Sequence, residues 1–191
     1  MNSKLTRSLL TSTASGLGLS LLSMLPAGAH GSADHGVMGG ALHPLLGLDH
    51  LLMLVTVGLC VAQAGRPLLT TAVAGALLGS IVGSFGGQLP GAEVLAALAI
   101  SAVAAVLVLV LRGHCGRSIL ALAVGGAVAL HAMLHGLESS GSSFWWIGAL
   151  LSSAAVVGGS AWLSQRFDRK LASIGAGLLV LAGGLLAIAP L

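Results

Sequence analysis

The 191-residue chain predicts an all-α fold: a polytopic membrane helix bundle with six transmembrane helices after a cleaved N-terminal signal peptide. Three observations carry that prediction. Hydrophobic residues make up 56% of the chain and charged residues only 7%, with a mean hydropathy of +1.03. A soluble domain carries roughly 25% charged residues. The apolar residues are gathered into continuous runs near the ~20 residues that a spanning helix needs, rather than the ~10-residue alternating segments of a membrane barrel. The basic residues fall in every second gap between those runs.

The remaining composition narrows the class further. A pI of about 9.5 would point to nucleic acid in a soluble protein. Here Lys and Arg are scattered in short loops, so they report topology and no nucleic-acid partner is expected. Cys60 and Cys115 supply neither a disulfide framework nor a CxxC metal motif. With 29 glycines and few aromatics, the helices are expected to pack closely.

The elements follow in order. Residues 1–29 read as a secretory signal: Lys4 and Arg7 form a positive start, Leu9 to Leu25 is mostly apolar, and Pro26-Ala27-Gly28-Ala29 ends in a small-residue cleavage pattern. Cleavage leaves His30 at the mature N-terminus, followed by a polar stretch containing His35. Residues 30–191 then form one six-helix domain, with spans expected at Pro44–Ala64, Leu68–Gly86, Ala92–Leu111, Ser118–Glu138, Phe144–Leu163 and Leu171–Ala189. Pro44 is expected in the first turn of its helix, where a missing N–H is no loss. Gly75, Gly79 and Gly83 form a GxxxGxxxG row that reads as a helix-packing surface. Trp145 and Trp146 read as an interfacial anchor.

The charges orient the bundle. With the N-terminus outside, Arg66, Arg112, Arg117, Arg166, Arg169 and Lys170 all fall in alternate loops, and the intervening loops contain no Lys or Arg. By the positive-inside rule both termini face out.

The histidines stand out against this frame. Four of the seven lie in two short blocks, His43-Pro44-Leu45-Leu46-Gly47-Leu48-Asp49-His50 and His131-Ala132-Met133-Leu134-His135-Gly136-Leu137-Glu138. Ionisable groups are costly in hydrocarbon, so such a gathering marks an ion path or binding site. A straight first span puts His50 about 10 Å deeper than His43, at the depth of His131, with Glu138 near the outer surface. His131, His135 and Glu138 line one helical face. Asp49 points about 120° away from the His43–His50 face unless the chain is irregular around Pro44 and Gly47. Imidazole with carboxylate suits Ni²⁺, Co²⁺ or Zn²⁺ better than the all-oxygen preferences of Ca²⁺ and Mg²⁺. The expected metal ligands are therefore His43, Asp49, His50, His131, His135 and Glu138, with His30, His35 and Met53 as auxiliaries.

Other features carry less. Glu93 opens a helix where an anion is welcome anyway, and His114 with Cys115 reads as an ordinary loop. Each membrane histidine taken alone also has a plain reading as a packing residue that hydrogen-bonds a neighbouring helix.

The residues His43-Pro44-x-x-Gly47-x-Asp49-His50, followed by Met53 and Val57-Gly58, resemble the signature of the HupE/UreJ proteins. The block His131-x-x-x-His135-Gly136-x-Glu138 is similar to that family's second motif, with Ala132 where a glycine is expected. The resemblance covers nearly the whole chain. It implies a nickel or cobalt permease of the bacterial inner membrane that supplies metalloenzymes such as hydrogenase or urease. In the family, the histidines and aspartate of the first motif, here His43, Asp49 and His50, are implicated in transport. Ni²⁺ or Co²⁺ would be cargo, with no prosthetic group and no enzymatic activity. The partners implied are the metal ion, the lipid bilayer and cytoplasmic metallochaperones. Two rivals use the same residues: a membrane-embedded metal-dependent hydrolase, in which His131, His135 and His50 hold zinc and Asp49 or Glu138 activates water, and a metal-binding assembly or sensor subunit that never transports.

Overall fold

The computed structural model describes residues 36–86, 89–138 and 143–188, except for the side chains of residues 137 and 138. All regular structure among them is helical: α1 (Gly36–Leu46), α2 (Leu48–Ala64), α3 (Pro67–Ser84), α4 (Ala92–Leu111), α5 (Arg117–Glu138), α6 (Ser143–Ser164) and α7 (Arg169–Ile188). Five of these, α3 to α7, are long and apolar enough to cross a membrane. The bent pair α1–α2 is long and apolar enough when taken together, which brings the count to as many as six. Residues 1–29, read as a signal, and His30 and His35 lie outside the described residues.

The helix boundaries follow from local chemistry. Pro67 stands in the first turn of α3, where no intrahelical donor is lost. Asp168 caps α7, its Oδ1 accepting the Leu171 N–H at 2.7 Å. At the end of α4, Gly113 takes a left-handed φ of 78°. The Gly113 N–H reaches Val110 O and the His114 N–H reaches Leu109 O, which together close the helix and turn the chain sharply toward α5.

The first span departs from expectation. It is two helices meeting at 77° rather than one, and Pro44 sits inside α1 instead of opening a helix. Gly47 is the joint. Its N–H donates to His43 O at 3.1 Å, and its carbonyl accepts from Leu51 N at 2.9 Å, so it ends one helix and begins the other. What sets the direction of α1 is its docking on α6. Gly40 lies so close to Trp145 O, and Gly148 so close to Val37 O, that a Cβ at either would collide with backbone.

α2 is the axis of the bundle. Among the described helices it packs against each of the other six, which are paired around it as α3 with α5, α4 with α5 and α7, and α1 with α6. The glycine row on α3 makes the tightest of these seams. Gly75, Gly79 and Gly83 face the backbone carbonyls of Gly125, Ala129 and Met133 on α5, with Gly136 facing Ser80 O in return. Without a water-driven force between helices in lipid, such backbone-to-backbone van der Waals contact is the main adhesive.

Side chains facing away from the axis are apolar and exposed, as with Leu77 and Leu78 on α3, Leu150 on α6, and Leu181 and Leu185 on α7. The side chains with no exposure at all include Cys60 on α2, Ile100, Val103 and Leu107 on α4, and Leu120 and Val124 on α5. They occupy the middle of the bundle and the half toward Arg66, Arg112 and Arg117. The two histidine blocks lie at the opposite end.

Candidate metal centre

The bend at Gly47 builds the site. Had the first span run straight, His43 and His50 would stand about 10 Å apart along the axis. Instead their ring centroids are 4.9 Å apart, edge to face. The joint also carries Asp49 back over the hinge, where its Oδ1 accepts the His50 Nδ1–H at 2.7 Å. Gly47 has φ −75° and ψ 112°, a conformation open to any residue. Its requirement is space: a Cβ there would meet His50 Nδ1 and Asp49 Oδ1.

α5 brings the second block. At 100° per residue, Leu120, Val124, Ala127, His131 and His135 form one stripe, roughly 160° around the helix from the Gly125–Ala129–Met133 face that docks on α3. The lower part of this stripe is dry core, with Leu120 and Val124 fully buried. The histidines are its continuation at the far end, where it meets the start of α2. His135 Nε2 lies 2.6 Å from His50 Nε2, a hydrogen bond in which one ring donates to the other. Its ring is 4.6 Å from that of His43. His131, one turn toward the core, stands 5.0 Å from the His50 ring. Its Nε2 is 3.3 Å from Asp49 Oδ2, near enough for an ion pair but not aligned as a hydrogen bond.

Asp49 thus serves two histidines, one through each oxygen. A carboxylate that accepts His50 Nδ1–H fixes the tautomer and aims the Nε2 lone pair outward, as outer partners of metal-bound histidines commonly do. His50 is 8% exposed and His131 6%, while His43, Asp49 and His135 are partly exposed.

The donor atoms form two triads, His43–His50–His135 and Asp49–His50–His131, each with all three atoms within 4.8 Å of one another. Two imidazoles on one ion stand about 2.9–3.4 Å apart if each lies roughly 2.0–2.1 Å from the metal. The His50–His135 pair at 2.6 Å and the His50–Asp49 pair at 2.7 Å would open slightly on a shared ion, and pairs standing as far as 4.8 Å apart would draw together. Three imidazoles, or two with a carboxylate, form a borderline donor set for a divalent transition ion.

Of the residues expected from sequence, five converge: His43, Asp49, His50, His131 and His135. The side chain of Glu138 lies outside the described residues, as do His30 and His35. Met53 is 2% exposed within the hydrophobic core. Glu93 is exposed in the first turn of α4, and His114 is exposed in the α4–α5 turn. One neighbour was not anticipated. Trp145, expected only as an interfacial anchor, packs its ring 5.1 Å from His43 and 6.3 Å from His135. It walls the site from the α6 side, and the only hint in the sequence was its place two residues into a span.

Comparison with known proteins finds relatives over nearly the whole chain. The family model described as HupE / UreJ protein matches residues 17–190. Protein HupE of Rhizobium leguminosarum bv. viciae is 26% identical over 190 residues, covering 94% of this chain and 97% of that relative. No solved structure matches the chain.

Proposed function

This chain belongs to the HupE/UreJ family, and we propose that it is a secondary permease that takes up Ni²⁺ or Co²⁺ from the periplasm across the inner membrane. The observation that carries the reading is the convergence of His43, Asp49, His50, His131 and His135 from three helices at one end of an otherwise apolar bundle. Groups so costly to place in a membrane are kept for handling an ion.

The mechanism follows from the donors. The ion arrives with a water shell, and imidazoles replace those waters one by one, with Trp145 closing one side. Nitrogen donors hold a borderline ion well enough to strip it, while a site short of strong anionic ligands lets it leave again, as conduction requires. Asp49 keeps His50 oriented and supplies negative charge behind the histidines. Glu138, on the last turn of α5, and His30 and His35, ahead of α1, would extend the donor set toward the mouth.

The orientation is the one the basic residues favour. Arg66, Arg112, Arg117, Arg166, Arg169 and Lys170 all stand at the end opposite the histidines, in the α2–α3, α4–α5 and α6–α7 connections, which the positive-inside rule places in the cytoplasm. A divalent cation moving inward then gains about 4.6 kcal/mol per 100 mV of membrane potential, twice the single-charge figure. That drives accumulation without a pump. Cytoplasmic metallochaperones would take the ion onward to enzymes such as hydrogenase or urease.

The test is uptake of ⁶³Ni²⁺ and ⁵⁷Co²⁺ into sealed vesicles holding the purified chain. Saturable uptake, with each ion competing against the other, is the expected result. No uptake, with metal held tightly and stoichiometrically through purification, would replace the permease with the hydrolase or the sensor.

A further inference from the structure

The five described donors do not form one shell. They fall into two triads that overlap at a single residue, His50. The His43, His50 and His135 rings touch one another, with centroids 4.9, 4.6 and 4.5 Å apart. The His131 ring stands edge to face with that of His50 at 5.0 Å. His50 is divided accordingly: Nε2 faces His135 at 2.6 Å and Nδ1 faces Asp49 at 2.7 Å.

We propose that the cluster is two ion stations in series that share His50: an entry station of His43, His50 and His135, and a transfer station of Asp49, His50 and His131. The proposal rests on the permease reading above and adds the order in which the residues act.

Three observations argue for it. The first is depth. His131 is one turn nearer the core than His135, and its side chain is only 8% exposed, whereas His43 and His135 are partly exposed. An ion coming from the histidine end meets His43 and His135 before His131. The second is charge. The entry station holds three imidazoles and no anion, while the transfer station adds the Asp49 carboxylate, so an ion moving inward exchanges neutral donors for a charged one.

The third is His131 itself. Its Nδ1 is buried and has no hydrogen-bond partner among the described residues. Buried polar nitrogens are nearly always paired, and the exceptions mark strain or function. The ring has Asp49 at one nitrogen and an unused donor atom at the other, so it can receive an ion from the His50 side and present it further in.

The shared residue also limits occupancy. A neutral imidazole has one lone pair, so His50 completes one triad at a time. The chain should therefore hold one ion, never one in each station. Passage then couples the handover to a tautomer change of His50: the Nδ1 proton held by Asp49 is released to solvent at the partly exposed carboxylate, and Nε2 takes a proton from solvent as the ion leaves it.

The experiment compares equilibrium Ni²⁺ binding with initial ⁶³Ni²⁺ uptake, using the full chain in vesicles, for wild type, His135→Ala, His43→Ala, His131→Ala and His131→Gln. Wild type should bind one nickel per chain. Losing an entry ligand should raise the half-saturating concentration about tenfold or more, as loss of a metal-site partner does. Losing His131 should instead leave one nickel bound at the entry station and lower the saturating rate by about tenfold or more. Bound nickel also shows that the His131 variants are folded. Two nickels per wild-type chain would overturn the shared station. So would wild-type uptake with binding and rate lost in parallel in every variant, which would mean one undivided site. No uptake by wild type sinks the permease itself, a different failure from either of these.

Discussion

The two ends of the bundle are made from the same helices and have opposite character. Toward Arg66 and Arg112 the faces that meet around α2 are closed: Cys60, Ile100, Val103, Leu107, Leu120 and Val124 have no exposure. Toward Glu138 the same faces of α2 and α5 continue as His50 and His131, and the apolar packing gives way to imidazole rings in contact with one another. The division falls within single helical stripes. On α5 it runs from Leu120 through Val124 and Ala127 to His131 and His135. On α2 it runs back from Val57 through Met53 to His50.

The contrast teaches what the resting structure can and cannot do. Among the described residues it gathers metal-binding side chains at one end and closes the other with fully buried apolar ones. Close-packed side chains do not yield continuously, so the proposed passage beyond His131 would require movement of the helices around α2. The seams differ in how well they suit such movement. α3 is locked to α5 by backbone contact along the glycine row, whereas α1 is attached to α2 through one residue, Gly47.

The strongest way to break the comparison is to remove the residue that both triads use. His50→Ala should weaken Ni²⁺ binding by about 100-fold or more and abolish uptake, since it deletes a ligand and strands Asp49 without its hydrogen bond. Equilibrium dialysis and vesicle uptake check this, and wild-type uptake by the variant would remove the proposed site. The opposite end should respond in stability rather than in binding. Ile100→Ala leaves a cavity in the dry half and should cost about 2–4 kcal/mol, read as reduced resistance to unfolding in detergent, with nickel binding per folded chain unchanged.

A subtler change sharpens the boundary between the two. Gly47→Ala keeps an allowed backbone but pushes a methyl group against His50 Nδ1 and Asp49 Oδ1. It should lower nickel affinity about tenfold, the cost of disturbing a ligand's outer partner, with little loss of stability. An unchanged affinity would mean that the Asp49–His50 contact does not orient the ligand. The smallest effect is expected at His114, exposed at the arginine end. His114→Ala should leave uptake within about twofold, the range of a surface change away from any such feature, and complete loss there would relocate the exit of the path.

Much of this was legible in the sequence. Spans two to six were placed within two residues of α3 to α7, because long apolar runs ended by Gly65-Arg66-Pro67 or Arg112-Gly113-His114 leave little freedom. The glycine row on α3 predicted a close seam and found one. The histidine blocks stood out through their cost in a membrane, and five of the side chains expected there do come together.

What stayed hidden was the bend. Pro44 and Gly47 are each compatible with a helix start, a kink or a break, and the choice between them is made by Gly40 and Gly148, which let α1 lie against α6. That contact spans about a hundred residues and leaves no local trace. The roles of two side chains followed from it. Asp49 seemed turned away from the histidines only because the span was drawn straight. Trp145 reached His43 only because α1 folds toward α6.

X-ray absorption at the nickel edge, on the loaded full chain, tests most directly whether these histidines hold the ion. The account predicts an imidazole-rich shell with the scattering signature of histidine rings, losing one ring in His135→Ala and collapsing in His50→Ala. An all-oxygen shell, or one unchanged by either substitution, would contradict it.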